Sequence, residues 1–156
     1  TRRNNGSIER YCMIRKATIL DISAIALMLN TMHKETELEV PKINTVKLID
    51  KINQLIHTGL VLVSVKDNKI QGSIAGLISQ DWWSEEKYIA DAWFYVFKDE
   101  RKSGVAKNLL QNYIKSAKDA KLKIRLGHIF SGDLERKDKF FKRLGFVKAG
   151  SIFVEA

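Results

Sequence analysis

Apolar and polar residues follow spacings that switch repeatedly between a strand-like and a helix-like period. Asp21 and Thr45 are placed to begin helices, and Gly59 to end the second one. The pair Asp67-Asn68 separates two apolar runs and predicts a tight hairpin turn. The predicted strands cover 11–17, 60–65, 70–79, 88–97, 122–130 and 146–154, and the predicted helices cover 21–32, 45–58, 103–120 and 134–144.

This order, β-α-α-β-β-β-α-β-α-β, combines antiparallel hairpins with β-α-β crossovers. It predicts an α/β fold in which a mixed central sheet carries helices on both faces. A length of 156 residues with 45% hydrophobic content suits one compact core. We therefore expect a single domain over 11–156, preceded by a flexible N-terminal extension over 1–10.

The sequence also indicates where the protein works. Its apolar stretches are interrupted well before the roughly 18 residues that a membrane span requires. The polar start, 1–7, lacks the apolar core of a signal peptide, and Cys12 has no partner for an intramolecular disulfide. These features predict a soluble, cytoplasmic protein. We expect no metal, because His33, His57, His128 and Cys12 are scattered without ligand spacing.

Positive charge is concentrated in one segment. The net charge is +9, and residues 98–148 hold 15 Lys or Arg against six Asp or Glu, whereas the rest of the chain holds 12 of each. A local excess of this kind favours an anionic partner, either nucleic acid or a phosphate-rich cofactor. The segment lacks a zinc-finger, homeodomain or RNA-recognition signature. Solvated lysines on helix surfaces explain part of the excess, so composition alone leaves both partners open.

The most specific chemistry lies between the strand at 88–97 and the helix that follows. A helix N-terminus leaves backbone N–H groups without partners and carries about half a positive charge, which suits a phosphate. Gly104 removes a side chain where a phosphate must approach, and Ala106 keeps the next turn open. Charge at the same point comes from Arg101, Lys102 and Lys107. The alternative is an ordinary helix start with Ser103 as its N-cap.

Arg101-x-x-Gly104-x-Ala106 resembles the acyl-CoA signature of the GNAT superfamily of N-acetyltransferases, Q/R-x-x-G-x-G/A. A second segment, Phe140-Phe141-Lys142-Arg143-Leu144-Gly145-Phe146, is similar to the closing motif of that family. The resemblance extends over roughly residues 11–156. It implies a three-layer fold with a mostly antiparallel mixed sheet, and a V-shaped splay between the fourth and fifth strands.

The resemblance further implies that acetyl-CoA is the acyl donor. Its pyrophosphate would be held by the backbone amides of the motif, and its pantetheine arm would lie in the splay and pair with the fourth strand. The residues that the resemblance assigns to this site are Phe94, Tyr95, Val96, Arg101, Lys102, Ser103, Gly104, Val105, Ala106 and Lys107.

An amine attacks a thioester as the free base, so a proton acceptor is expected. Asp91 in the fourth strand is the leading candidate, and His128 in the fifth strand is the second. The family commonly protonates the leaving thiolate with a Tyr at the position of Phe141, which has no proton to donate. Tyr95, Tyr88 or water would then supply the proton. Leu134 is a second departure, since many relatives carry Asn there.

The acceptor site is implied by resemblance to lie in two connections, 33–44 and 80–86. Glu35, Glu37 and Glu39 alternate, so in an extended chain they would project to one side and attract a cationic amine. Trp82 and Trp83 would add an aromatic wall or a cation–π contact. The alternative is a charged loop with two tryptophans that anchor it to the core.

Three functions are compatible with these patterns. The first is transfer of an acetyl group from acetyl-CoA to a primary amine by direct attack in a ternary complex. The second is a non-catalytic acyl-CoA-binding module, and the third, which the motifs favour least, is a basic nucleic-acid-binding protein. We expect no membrane partner, and the resemblance leaves a homodimer open.

Overall fold

The structure of the chain, a computed structural model, describes residues 12–127 and 133–155. The predicted extension 1–10 and the candidate base His128 lie outside these ranges. None of the described helices is long and apolar enough to cross a membrane. The strands are β1 (Met13–Lys16), β2 (Leu60–Lys66), β3 (Lys69–Gln80), β4 (Lys87–Val96) and β5 (Lys123–Arg125). The helices are α1 (Ile22–Lys34), α2 (Thr45–Thr58), α3 (Val105–Asp119) and α4 (Leu134–Arg143).

The five strands form one mixed sheet in the order β1-β2-β3-β4-β5. The first three pairings are antiparallel, and β4 pairs with β5 in parallel. The predicted mixed, mostly antiparallel sheet is therefore confirmed.

Two apolar clusters lie on opposite faces of the sheet. One joins α1 and α2 to residues such as Val63, Ala75 and Trp93, and the other joins α3 to Ile74 and Ile89. Apolar residues of α4 pack at the edge of the second cluster. This confirms that helices cover both faces.

Local chemistry explains most element boundaries. Asp67 and Asn68 adopt φ values of 51° and 60°, the left-handed conformation that a two-residue hairpin turn needs. Gly59 ends α2 and donates its N–H to Leu55 O. The prediction that Thr45 caps α2 is wrong by one residue, because the Asn44 side chain accepts the N–H of Lys47 at 3.0 Å.

A β-bulge divides β4 into two halves. Ala75 pairs with Trp93 and Gly76 pairs with Asp91, so Ala92 is the extra residue. Upstream of the bulge Ile89 faces α3, and downstream Trp93 faces α1 and α2. Odd-numbered side chains of β4 therefore face α3 before the bulge and face α1 and α2 after it.

Two predictions about the C-terminal third are wrong in the described residues. The expected strand 146–154 is irregular, and its apolar residues Val147, Ile152, Phe153 and Val154 are 73–92% exposed. A β-like pattern becomes a strand only beside an edge that offers backbone partners, and the described part of β5 is three residues long. The strand predicted over 122–130 is correspondingly short, since Leu126 and Gly127 lie beyond its end.

Candidate active site

The strands β4 and β5 separate after a short parallel pairing. Their register covers Tyr88 to Ala90 against Lys123 to Arg125, whereas β4 continues to Val96. Over 91–96, β4 is therefore paired with β3 on one side and has no β5 partner among the described residues. Among the described residues this agrees with the predicted splay between the two strands.

The backbone groups on this open edge can be identified from the ladder. Phe97 N donates to Gln71 O at 3.0 Å. In an antiparallel ladder alternate residues bond the same neighbouring strand. The backbone N–H and C=O of Tyr95 therefore also point to β3, while those of Phe94 and Val96 point to the open side. An extended ligand can therefore pair with Phe94 and with the N–H of Val96 along this edge, whereas the Val96 C=O already accepts from Arg101 Nε at 2.8 Å.

The N-terminus of α3 opens beside the end of β4. Its N-cap is Gly104, with φ 81° and ψ 4°, and the first intrahelical bond runs from Asn108 N to Gly104 O. By helix geometry the N–H groups of Gly104, Val105, Ala106 and Lys107 then have no acceptor inside the helix. A Cβ added at Gly104 would meet no heavy atom within 4 Å, so the space above these amides is open.

The alternative that Ser103 caps this helix is wrong. Its Oγ donates to Glu100 O at 2.6 Å, and no side-chain cap bonds the first amides of α3. Gly104 takes the N-cap position instead of Ser103 because that position is left-handed, a conformation that strongly favours glycine. The exposed side chains of Lys102 and Lys107 flank the same opening. Together they form an electropositive site of the kind that binds phosphate.

A buried polar chain fixes the turn between β4 and α3. Ser64 Oγ donates to Gln71 Oε1 at 3.1 Å, and Gln71 Nε2 donates to Glu100 Oε2 at 2.8 Å. Gln71 is 3% exposed. Sequence analysis missed this residue, although a Gln within an apolar strand signals a buried polar partner.

Arg101, Glu35 and Tyr95 form one cluster. Arg101 Nη2 lies 2.7 Å from Glu35 Oε2, and Tyr95 Oη donates to Glu35 Oε1 at 2.5 Å. Arg101 Nε donates to Val96 O at 2.8 Å, and its guanidinium lies 5.3 Å from the centre of the Tyr95 ring. The structure thus joins a predicted cofactor residue, a predicted acceptor residue and a predicted catalytic residue.

The charges of this cluster follow from its contacts. Burial opposes ionisation of Glu35, but hydrogen bonds from Tyr95 and Arg101 outweigh it and lower the pKa of Glu35. Burial and then the bond to Glu35 raise the pKa of Tyr95 to about 12. Burial and then the charge of Arg101 lower the pKa of Lys137 on α4, which places that lysine close to the cluster. Sequence analysis did not single out Lys137.

Asp91 lies where the two strands part. Its Oδ1 accepts the N–H of Gly127 at 2.8 Å, a bond that joins β4 to the chain just after β5. The buried Tyr113 of α3 is close enough that the Asp91 charge, after burial itself, raises the pKa of Tyr113. The carboxylate predicted as general base therefore lies at the vertex of the opening.

The predicted acceptor residues are not all brought together. Glu37 and Glu39 are exposed in the irregular connection after α1, whereas Trp82 and Trp83 lie in the β3–β4 turn. Tyr95 lies eight residues after the first residue of β4, Lys87, which is about 26 Å of strand at 3.3 Å per residue. The two tryptophans are therefore far from the cluster of Glu35. Trp82 and Trp83 are 91% and 67% exposed, so they do not anchor the loop to the core.

The closing aromatic segment packs on the α3 face. Phe140 lies 6.3 Å from Phe94 between ring centres, and Phe141 lies 6.3 Å from Phe146. Phe140 and Phe141 both border the apolar cluster of α3. They cover the side of β4 from which Phe94 projects.

Comparison with known proteins identifies the family. The sequence profile of the acetyltransferase (GNAT) domain matches residues 57–148, which include β2 to α4 and the whole Gly104 loop. The chain belongs to the GNAT family. It is accordingly an acyltransferase. A search of curated protein sequences finds no significant match.

Solved GNAT-like structures share the fold. A possible acetyltransferase from Clostridium difficile 630 is 22% identical with a TM-score of 0.70, covering 93% of this chain and 96% of that chain. A predicted acetyltransferase with acetyl-CoA from Clostridium acetobutylicum is 19% identical with a TM-score of 0.76, covering 94% and 96%. Glucosamine-6-phosphate N-acetyltransferase from Arabidopsis thaliana is 13% identical with a TM-score of 0.71, covering 94% and 98%. At these identities the likeness establishes the fold.

Proposed function

We propose that this GNAT protein transfers the acetyl group of acetyl-CoA to a primary amine by direct attack in a ternary complex. The observation that supports the proposal is that one side of β4 adjoins the start of α3. The side of β4 without a described strand partner, at Phe94 and Val96, leads to the open amides beginning at Gly104, and Arg101 Nε donates to the Val96 carbonyl between them. An edge for the pantetheine amides thus adjoins an electropositive helix start for the pyrophosphate.

In the proposed reaction the amine nitrogen forms a bond to the thioester carbonyl carbon, the C–S bond breaks, and the nitrogen loses a proton. Asp91, at the vertex of the splay, is the proposed acceptor of that proton, directly or through water. His128 remains a second candidate from the sequence. No acyl-enzyme intermediate is needed, because the two substrates meet in one complex.

Thiolate departure does not depend on a side-chain acid. An ordinary thiol has a pKa of about 8.5, so the thiolate is a stable leaving group that can take its proton from solvent. Phe141 in place of the usual Tyr is compatible with this route. Tyr95 is poorly suited as the acid, since its proton is donated to Glu35 and its pKa is about 12. We assign Tyr95 to holding Glu35.

The proposal is tested in two steps. Calorimetric titration with acetyl-CoA and with CoA should show micromolar binding, and a panel of primary amines should then release free thiol from acetyl-CoA. The panel needs monoamines, polyamines, aminoglycosides and peptide N-termini, and thiol release without enzyme is the background. No binding at millimolar ligand would refute the cofactor site, and binding without turnover across the panel would refute amine acetylation.

A further inference from the structure

The Glu35 carboxylate connects the two substrate regions. Glu35 is the C-cap of α1 and opens the connection to α2, whereas Arg101 belongs to the phosphate-binding turn. The Glu35 side chain is 14% exposed, and that of Arg101 is 38% exposed. A charge-assisted contact of this kind, with one partner largely withdrawn from water, is stronger than a surface ion pair.

Arg101 also occupies the edge on which the cofactor would lie. Its Nε donates to Val96 O, one of the carbonyl groups that face the open side of β4. A ligand pairing with this edge needs that carbonyl, and a pyrophosphate at Gly104 attracts the same guanidinium. Cofactor and Glu35 therefore compete for one side chain.

Withdrawal of Arg101 would leave an ionised, largely buried carboxylate. Tyr95 would still donate to it, and the positive charges that act on it from farther away are Lys98 and Lys137. A carboxylate that loses its ion-pair partner in such a setting strongly favours a new cation. Tyr95 lies four residues beyond Asp91, about 13 Å of strand. The carboxylate is thus placed to hold a second cationic group of the acceptor and not the reacting nitrogen.

We propose that Glu35 is the acceptor-binding carboxylate and that acetyl-CoA makes it available by drawing Arg101 away. The acceptor is then an amine with at least two cationic groups. This inference rests on the proposed function and selects Glu35 from the three glutamates, because Glu37 and Glu39 are exposed in the connection. It implies that cofactor and acceptor bind cooperatively through one side chain.

The decisive experiment is a calorimetric titration with acetyl-CoA of wild type, Glu35→Gln and Glu37→Gln. Loss of the Glu35 charge removes the competitor for Arg101, so Glu35→Gln should bind acetyl-CoA about threefold or more tightly than wild type. Glu37→Gln makes the same change of charge two residues away and should match wild type. In an Arg101→Gln background, Glu35→Gln should have no further effect. Circular dichroism checks that each variant folds.

Equal or weaker binding by Glu35→Gln, or an equal gain in Glu37→Gln, would overturn the inference while leaving the proposed function intact. Absence of acetyl-CoA binding in every protein would instead refute the proposed function, and the inference with it. For turnover, Glu35→Gln should raise KM for diamines and leave KM for monoamines unchanged. The same change in KM for both classes would refute the role of Glu35 in acceptor selection.

Discussion

The open space above Gly104 allows steric and electrostatic effects on cofactor binding to be separated. We consider Gly104→Asn and Gly104→Asp, two side chains of nearly equal shape that differ by one charge. A Cβ at this position meets nothing within 4 Å, so the cost of either change is conformational. The left-handed backbone costs a non-glycine residue about 1–2 kcal/mol. Asn and Asp are the side chains that tolerate this conformation best.

Both variants should therefore fold and lose a similar stability of about 1–2 kcal/mol relative to wild type. They should differ in acetyl-CoA affinity. A carboxylate about 4 Å from one phosphate charge is repelled by about 1 kcal/mol in bulk water and by about 4 kcal/mol at an effective dielectric constant of about 20. Gly104→Asp should bind acetyl-CoA at least about fivefold more weakly than Gly104→Asn for each phosphate charge.

Calorimetric titration of the three proteins at low ionic strength measures this difference, and added salt should reduce it. Urea unfolding of the same samples checks that the two variants remain equally stable. If Gly104→Asp binds acetyl-CoA as tightly as Gly104→Asn, the pyrophosphate does not lie at the start of α3, and the assignment of this loop is wrong.

Three other changes test separate parts of the structure. Asp91→Asn keeps an oxygen for the N–H of Gly127 but removes the basic charge, so kcat should fall by about 10²–10⁴-fold without a change in acetyl-CoA affinity; an unaltered kcat would exclude Asp91 as the base. Contacts led by a hydrogen bond from Arg15 lower the pKa of Asp21, so this carboxylate stabilises the fold above its ordinary pKa of about 3.9 and loses that contribution as pH falls through its lower folded value. Asp21→Asn should consequently cost more stability in urea at pH 7 than at pH 3, and equal costs would contradict the pairing. Gly76→Ala places a methyl group against the Tyr113 hydroxyl and should destabilise the protein by about 1–3 kcal/mol. Thermal unfolding measures this loss, with Gly150→Ala, whose added methyl group meets no atom within 4 Å, as the control. Equal melting temperatures of the two variants would contradict the tight packing.

Sequence analysis was most successful where a residue type is tied to one backbone conformation. The turns at Asp67-Asn68 and Gly104 depend on left-handed torsion angles, and the structure places them as the sequence indicates. Gly59 also ends α2 as predicted, although its φ of −118° is not left-handed. The start of α4 at Leu134 is likewise confirmed. The predicted strand 146–154 shows the limit of local patterns, because β propensity does not reveal whether a neighbouring edge is available.

The central cluster of the candidate site could not be predicted from spacing. Tyr95 and Arg101 contact a carboxylate 60 and 66 residues earlier in the chain, and only the tertiary fold brings the three together. Resemblance and residue spacing assign Glu35 to the acceptor, and the motif assigns Arg101 to the cofactor, as two separate predictions. Their direct contact follows from the position of the α1 terminus over the end of β4.

The extra residue at Ala92 gives β4 a rule for which changes it can accept. Exchanging one side chain for another within the strand alters a single contact. Deleting the bulge residue Ala92 would leave every other residue of β4 opposite its present β3 partner, so Tyr95 would still face α1 and α2 and Phe94 would still face α3. Deleting a residue downstream of the bulge would instead shift the alternation of everything after it. Relatives that keep this site are therefore expected to vary in the residue types of β4 and to conserve its length between the bulge and the phosphate loop.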